Sequence, residues 1–226
     1  VTTLSSAVDF FYWPTPNGQK VAIFLEESGM SYTAHPINIS QGEQFAAEFT
    51  RISPNQRIPA LVDAEVGVSI FESGAILLYL AQRSGQFLPA DIRGSTEALQ
   101  WLFWQAASLG PILGQAVYLL NYAPEHLPAP VARFRKETVR LYTVLEHQLA
   151  ERDFVAGPYS IADMAIYPWV LQYEKQGMTL DDFPNVAAWL TTIGERAAVI
   201  RAYEKGERIR PSGQTDADRN KLYKLE

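Results

Sequence analysis

The sequence predicts two unlike parts: a small α/β domain with a mixed sheet over residues 1–87, then an all-helical domain over 93–204, with a polar tail at 205–226. Three observations carry this. Over the first part, apolar and turn-forming residues read in the order β-α-β-α-β-β-α. After Gly85-Gln86-Phe87-Leu88-Pro89 the pattern changes, and apolar residues recur at helical spacing. Near the end of the first part, Arg57 to Ala81 joins a proline-led strand to a carboxylate and a hydroxyl at the mouth of an apolar helix.

Val8 to Tyr12, rich in aromatic residues, reads as a strand. It stops at Pro14-Thr15-Pro16-Asn17-Gly18, a cluster of turn formers and helix caps. Val21, Phe24 and Leu25 then mark a helix that closes at Gly29. Tyr32 to Ile39 is the second strand, and Gly42 to Arg51 an irregular or helical connection. Ala60 to Val62 pairs as a hairpin with Val68 to Phe71, and Ser73 to Ser84 is the next helix.

Beyond Pro89, Ser95 to Tyr122 is helical, with Gly110-Pro111 placed to bend or break it. Pro124 to Pro130 is a proline-rich connection. Phe134, Thr138, Leu141, Leu145 and Leu149 share one face of a long helix. Ser160-Ile161-Ala162-Asp163 is a capping-box variant, with Asp where Glu or Gln is usual, opening the apolar helix Met164 to Gln172. A further helix starts at Pro184, and from Lys205 the chain turns polar, as a mobile or surface-draped end would.

Composition removes several kinds of chemistry. With 47% apolar and 19% charged residues the chain is globular in character, and its apolar runs fall short of the ~20 residues that span a bilayer, so no membrane partner is expected. Val1 to Ser6 lacks a basic region followed by an apolar core, so no secretion signal is read there. A net charge of −6 argues against nucleic acid as the main partner. There are no cysteines, which excludes disulfides, Cys-based zinc sites and Cys-x-x-Cys redox chemistry by the protein itself. The three histidines, His35, His126 and His147, are scattered, so neither a metal site nor a Ser-His-Asp triad is expected. Any thiol chemistry must come from a ligand.

Glu72 and Ser73 stand where a helix N-terminus gathers unpaired N–H groups and partial positive charge, which suits a bound carboxylate; they equally suit a capped helix after a hairpin. Pro59, with no N–H, opens a strand and can leave the backbone before it open to a peptide-like ligand, particularly if its bond is cis.

These residues resemble the glutathione transferases over nearly the whole chain. Arg57-Ile58-Pro59-Ala60-Leu61 is similar to that family's cis-proline strand, Phe71-Glu72-Ser73-Gly74-Ala75-Ile76 to its Glu/Gln-Ser segment, and Ser160 to Asp163 to its capping box. Thr15-Pro16-Asn17-Gly18 resembles the signature of the bacterial nu class and its fungal prion-type relatives, as do Gly42-Glu43-Gln44-Phe45 and Leu99 to Gln105. The resemblance implies a thioredoxin-like domain followed by a helical-bundle domain, in a cytoplasmic homodimer that binds glutathione as cosubstrate, without metal. It implies a glutathione:disulfide oxidoreductase acting on small organic disulfides or electrophiles, with some transferase or peroxidase activity. A binding or regulatory protein of the same fold with little catalysis is the alternative.

By that resemblance, the cysteinyl segment of glutathione pairs with the backbone of Ile58, made accessible by Pro59. The Ser73 hydroxyl takes the γ-glutamyl carboxylate and Glu72 the ammonium. Gln44 and Arg57 are candidates for the glycyl end, with Arg57 otherwise a solvated edge residue and Gln44 ordinary loop polarity. Thr15 and Asn17, both good caps, are placed to act on the sulfur, Thr15 as thiol partner and Asn17 in ligand contact. Tyr12 is read as a strand residue rather than a catalyst. Arg133 matches a position that reaches a second glutathione in the nu class, or is a surface helix charge beside Arg135 and Lys136.

Overall fold

In the computed structural model, residues 8–125 and 127–209 are described, and they fall into two compact units, one built from 8–84 with 197–209 and the other from Gly85–Arg196. His126, the first seven residues and the tail beyond 209 lie outside the described residues. The first unit is built on a four-stranded sheet of order β2-β1-β3-β4, with β1 Val8–Tyr12, β2 Tyr32–Pro36, β3 Ala60–Asp63 and β4 Val68–Phe71. β1 pairs parallel with β2 and antiparallel with β3, which pairs antiparallel with β4. Helices α1 (Pro16–Ser28), α2 (Ala47–Ile52) and α3 (Ser73–Ser84) complete the expected order. Val8, Phe10 and Leu61 from the strands are buried, as are Val21, Phe24 and Leu25 of α1 and Ile76, Leu77 and Leu80 of α3; α1 and α3 pack against each other.

The register explains where a site can form. Tyr12 stands opposite Pro36, Phe11 opposite Ala60, and Ala60 opposite Phe71. The end of β1, the end of β2, the start of β3 and the end of β4 therefore share one end of the sheet. Every segment the sequence singles out in the first domain leaves from that end. β2 stops at Pro36 rather than running to Ile39. The Ile37 N–H still reaches the Tyr12 carbonyl at 3.0 Å, after which the Asn38 side chain caps a single helical turn, Ile39–Gln41. A local side-chain cap wins over further strand pairing there.

The second unit is helical: α4 Ile92–Trp104, α5 Gly110–Asn121, α6 Pro128–Leu149, α7 Ile161–Val170 and α8 Pro184–Gly194. Asp91 caps α4 by accepting from the Gly94 N–H at 2.9 Å. At Gly110-Pro111 the chain does not break; one π-helical turn, Gln105–Leu109, carries α4 into α5 and takes up the hydrogen bond that Pro111 cannot make. α6 begins at Pro128, inside the proline-rich connection, where a missing N–H at a helix start costs nothing. α7 is buried almost throughout. Its capping box is complete: the Ser160 hydroxyl accepts from the Ala162 N–H at 3.3 Å, and Asp163 Oδ2 accepts from the Ser160 N–H at 3.1 Å.

The last described helix, α9 (Ala197–Ile209), packs on α1 and belongs to the first unit. It runs past Lys205 to Ile209: Arg201 and Lys205 donate to the Glu26 carboxylate of α1 at 3.1 and 2.5 Å, and Gly206 is buried against Pro14 and Gln19. Burial raises the Glu26 carboxyl, but the Lys205, Tyr32 and Arg201 donors outweigh it and hold the group below its usual range.

Candidate functional site

The first wall of the site is the start of α1. Thr15 is the N-cap, in extended backbone, and its Oγ1 accepts from the Gly18 N–H at 3.3 Å. One hydroxyl lone pair is thereby used, while its proton stays available to an acceptor beyond the helix end. The chain turns so tightly that a Cβ on Gly18 would lie 2.1 Å from the Trp13 carbonyl oxygen, so only glycine fits there. Thr15, Pro16 and Asn17 are half-buried at this end. Tyr12 is buried in β1 and stacked on Phe10 at 4.3 Å; burial, with a smaller contribution from Glu26, pushes its phenol up to about 12. It is a core strand residue, as the sequence indicates.

The second wall is the entry to β3. The Ile58–Pro59 peptide bond is cis. Ile58 is half-buried and precedes the paired part of β3, while Pro59 is buried. The loop before it is pinned by the Ser53 hydroxyl, which donates to the Arg57 carbonyl at 2.9 Å. This leaves the Arg57 side chain exposed.

The third wall is the mouth of α3. Glu72 is exposed with φ 71°, the left-handed region that non-glycine residues seldom occupy, and its carbonyl accepts from the Ile76 N–H at 2.9 Å. Its carboxylate accepts from Asn55 Nδ2 at 3.4 Å. Such a backbone cost, of order 1–3 kcal/mol, is found where a side chain has to be aimed. Ser73 is half-buried, and its Oγ accepts from Lys20 Nζ at 3.3 Å.

Gln44 lies in a single helical turn, Glu43–Phe45, on the segment that follows β2. It is 6% exposed, and its side-chain carbonyl Oε1 has no hydrogen-bond partner among the described residues. A buried orphan acceptor costs roughly 1–3 kcal/mol and calls for a ligand or water. Arg133 is on α6 in the helical unit, exposed, one turn before Glu137. Among the described residues no group of three or more His, Cys, Asp or Glu could hold a metal ion. No described helix is long and apolar enough to cross a membrane.

The sequence reading overlooked Lys20. It is 2% exposed, and burial lowers its ammonium to about 7, with the Glu72 carboxylate working in the opposite direction. A signal was present: Asn17, Lys20, Val21 and Phe24 follow the i, i+3, i+4, i+7 spacing of one helix face. A lysine buried beside Val21 and Phe24 needs a polar partner inside, and Ser73 is one.

A sheet end lined by a capped helix start, a cis-proline strand entry and a second helix mouth, with a helical unit built on a buried capping box, defines a class. The glutathione S-transferase N-terminal domain matches residues 6–82 and the glutathione S-transferase C-terminal domain matches residues 113–197, and the chain belongs to the glutathione S-transferase family. It is 44% identical over 206 residues to the disulfide-bond oxidoreductase YfcG of Escherichia coli, covering 88% of this chain and 96% of that protein. It is 42% identical over 204 residues to the disulfide-bond oxidoreductase YghU of the same organism, covering 83% and 70%. Among solved structures, a glutathione transferase from Burkholderia graminis with two glutathione molecules bound per subunit superposes with a TM-score of 0.84 at 38% identity, covering 89% of each chain.

Proposed function

We propose that this protein is a glutathione-dependent disulfide oxidoreductase in which the thiol of glutathione, and no side chain, does the redox work. The observation that carries this is the absence of any cysteine in a chain so similar to two disulfide-bond oxidoreductases. With no protein thiol, both electrons must come from the ligand. One glutathione thiolate attacks a sulfur of the disulfide, forming a mixed disulfide and releasing the other half as a thiolate. A second glutathione thiolate attacks the glutathione sulfur of that mixed disulfide, giving oxidised glutathione and releasing the second half. Two glutathione molecules are consumed and one disulfide is reduced. The Burkholderia graminis protein, with two glutathione molecules per subunit, supports room for both partners.

In this reading the γ-glutamyl carboxylate lies on the Ser73 hydroxyl and the N–H groups at the start of α3, and the ammonium faces Glu72. The cysteinyl backbone pairs with Ile58 beside Pro59. Gln44 and Arg57 take the glycyl carboxylate end, Gln44 through its side-chain NH2 and Arg57 as a charge-assisted donor. Thr15 donates to the sulfur and Asn17 holds the ligand at the start of α1. A free thiol of pKa ~8.5 is only a few per cent ionised at pH 7, and a helix N-terminus with one donor lowers it by about a unit or more. Arg133 receives the second glutathione. The protein works in the cytoplasm as a homodimer, and the exposed Phe45 and Phe103 support the dimer.

The test is turnover of a small disulfide with glutathione recycled by glutathione reductase, in wild type, Asn17→Ala and Ser73→Ala. A raised glutathione requirement in Ser73→Ala marks binding, and a fall in maximal rate in Asn17→Ala marks a part in the chemistry. No turnover by wild type at any glutathione concentration overturns the proposal.

A further inference from the structure

We propose that Lys20 is the positioning residue for the amino-acid end of the ligand: by donating to Ser73 it turns the Ser73 hydroxyl proton outward, toward the γ-glutamyl carboxylate. This rests on the reading of the site above and names a residue which that reading does not use.

The argument starts from what a serine hydroxyl can do. It has one proton and two lone pairs. At a helix start, the common fate of such an oxygen is to turn inward and cap its own helix, or to give its proton to a nearby carbonyl. Either choice competes with donation to an anion. Lys20 Nζ, 3.3 Å from Ser73 Oγ, fills a lone pair from the α1 side. In its charged form Lys20 only donates, so the hydroxyl proton cannot point at it and is directed elsewhere. Ser73 is half-buried, with α1 packed on α3 behind it, so the side left for that proton is the helix mouth where a carboxylate would sit.

Burying an amine at 2% exposure costs free energy that a methionine of similar length would avoid. The neighbouring Glu72 stays exposed and is engaged by Asn55, and its charge opposes the effect of burial on Lys20. Lys20 donates to a hydroxyl at the entrance to the site.

The experiment is a double-mutant cycle of Lys20→Met and Ser73→Ala in the full-length protein, read as the glutathione concentration giving half-maximal disulfide reduction and as the dissociation constant for glutathione by calorimetry. Lys20→Met should raise both about tenfold with kcat changed less than twofold, since one charge-assisted hydrogen bond is lost from a binding group. In the Ser73→Ala background the same change should add less than twofold, because the hydroxyl it acts on is gone. Lys20→Arg and Lys20→Gln, which still donate, should recover part of the loss, and they keep the test open if the methionine variant melts early. An equal effect of Lys20→Met with and without Ser73, or no effect on glutathione dependence, overturns the proposal while leaving the site reading intact. If Ser73→Ala alone leaves glutathione dependence unchanged, the site reading fails first and the role of Lys20 with it.

Discussion

Two sets of polar groups, one in each unit, have been treated in opposite ways. Asp163, fully buried at the start of α7, is saturated: its carboxylate accepts from the Val155 N–H at 3.0 Å, the Ser160 N–H at 3.1 Å, the Ser160 hydroxyl at 3.2 Å and Trp189 Nε1 at 3.1 Å. At the sheet end of the first unit the chemistry is left unfinished. The Gln44 carbonyl is buried without a partner, Thr15 spends one lone pair and keeps its proton, and Glu72 holds a left-handed backbone for a single long hydrogen bond. A closed network fixes α7, α8 and the loop at Val155 in one arrangement. An open one retains binding capacity for a ligand, at a cost in stability.

Removing Asp163 gives the largest expected effect. Asp163→Ala strips four donors of their acceptor and should cost about 3–5 kcal/mol in denaturant unfolding, with little change in the glutathione requirement of the folded fraction. A loss below about 1 kcal/mol would break the comparison. Next comes pH. Burial raises the Asp163 carboxyl from its ordinary 3.8 to about 6, against the pull of its donors. Between those values the folded state holds a proton that the unfolded chain has released, so this group's contribution to stability declines as pH rises from about 4 to 6 and is flat on either side. The difference in stability between wild type and Asp163→Asn, measured from pH 3.5 to 7, should carry that slope, by up to about 3 kcal/mol for two pKa units.

At the open site the signs reverse. Glu72→Gly should stabilise by up to about 1 kcal/mol by relieving the left-handed residue, while kcat/KM for glutathione falls roughly tenfold or more as the ammonium partner is lost. Gln44→Leu is the smallest change: stability within about 1 kcal/mol of wild type or slightly higher, with weaker glutathione binding by calorimetry. Destabilisation by both variants, as strong as that of Asp163→Ala, would mean that the sheet end is as structural as the capping box.

Much of this was legible in the chain because it is local. The Thr15-Pro16-Asn17-Gly18 run specifies a capped helix start through short-range hydrogen bonds, and Ser160 with Asp163 specifies another. Alternation and helical spacing placed β1, β3, β4 and most helices. Local signals also misled where two competed. Pro36 and the Asn38 cap ended β2 early, and at Gly110-Pro111, placed to bend or break the helix, a π-helical turn keeps it from breaking. Proline forbids one hydrogen bond, and whether that ends a helix depends on what the neighbouring turns can rearrange.

By itself, then, the sequence determined the order of elements, the two helix caps, the proline-led strand and the exclusion of protein-thiol chemistry. Tertiary structure decided the meeting of residues far apart in the chain: Lys20 with Ser73, Asn55 with Glu72, and Arg201 and Lys205 with Glu26, which brings α9 into the first unit. Caps and periodicity act over a few residues and leave their mark in composition. A buried amine or an exposed left-handed glutamate becomes meaningful only when sheet register has brought four segments to one end.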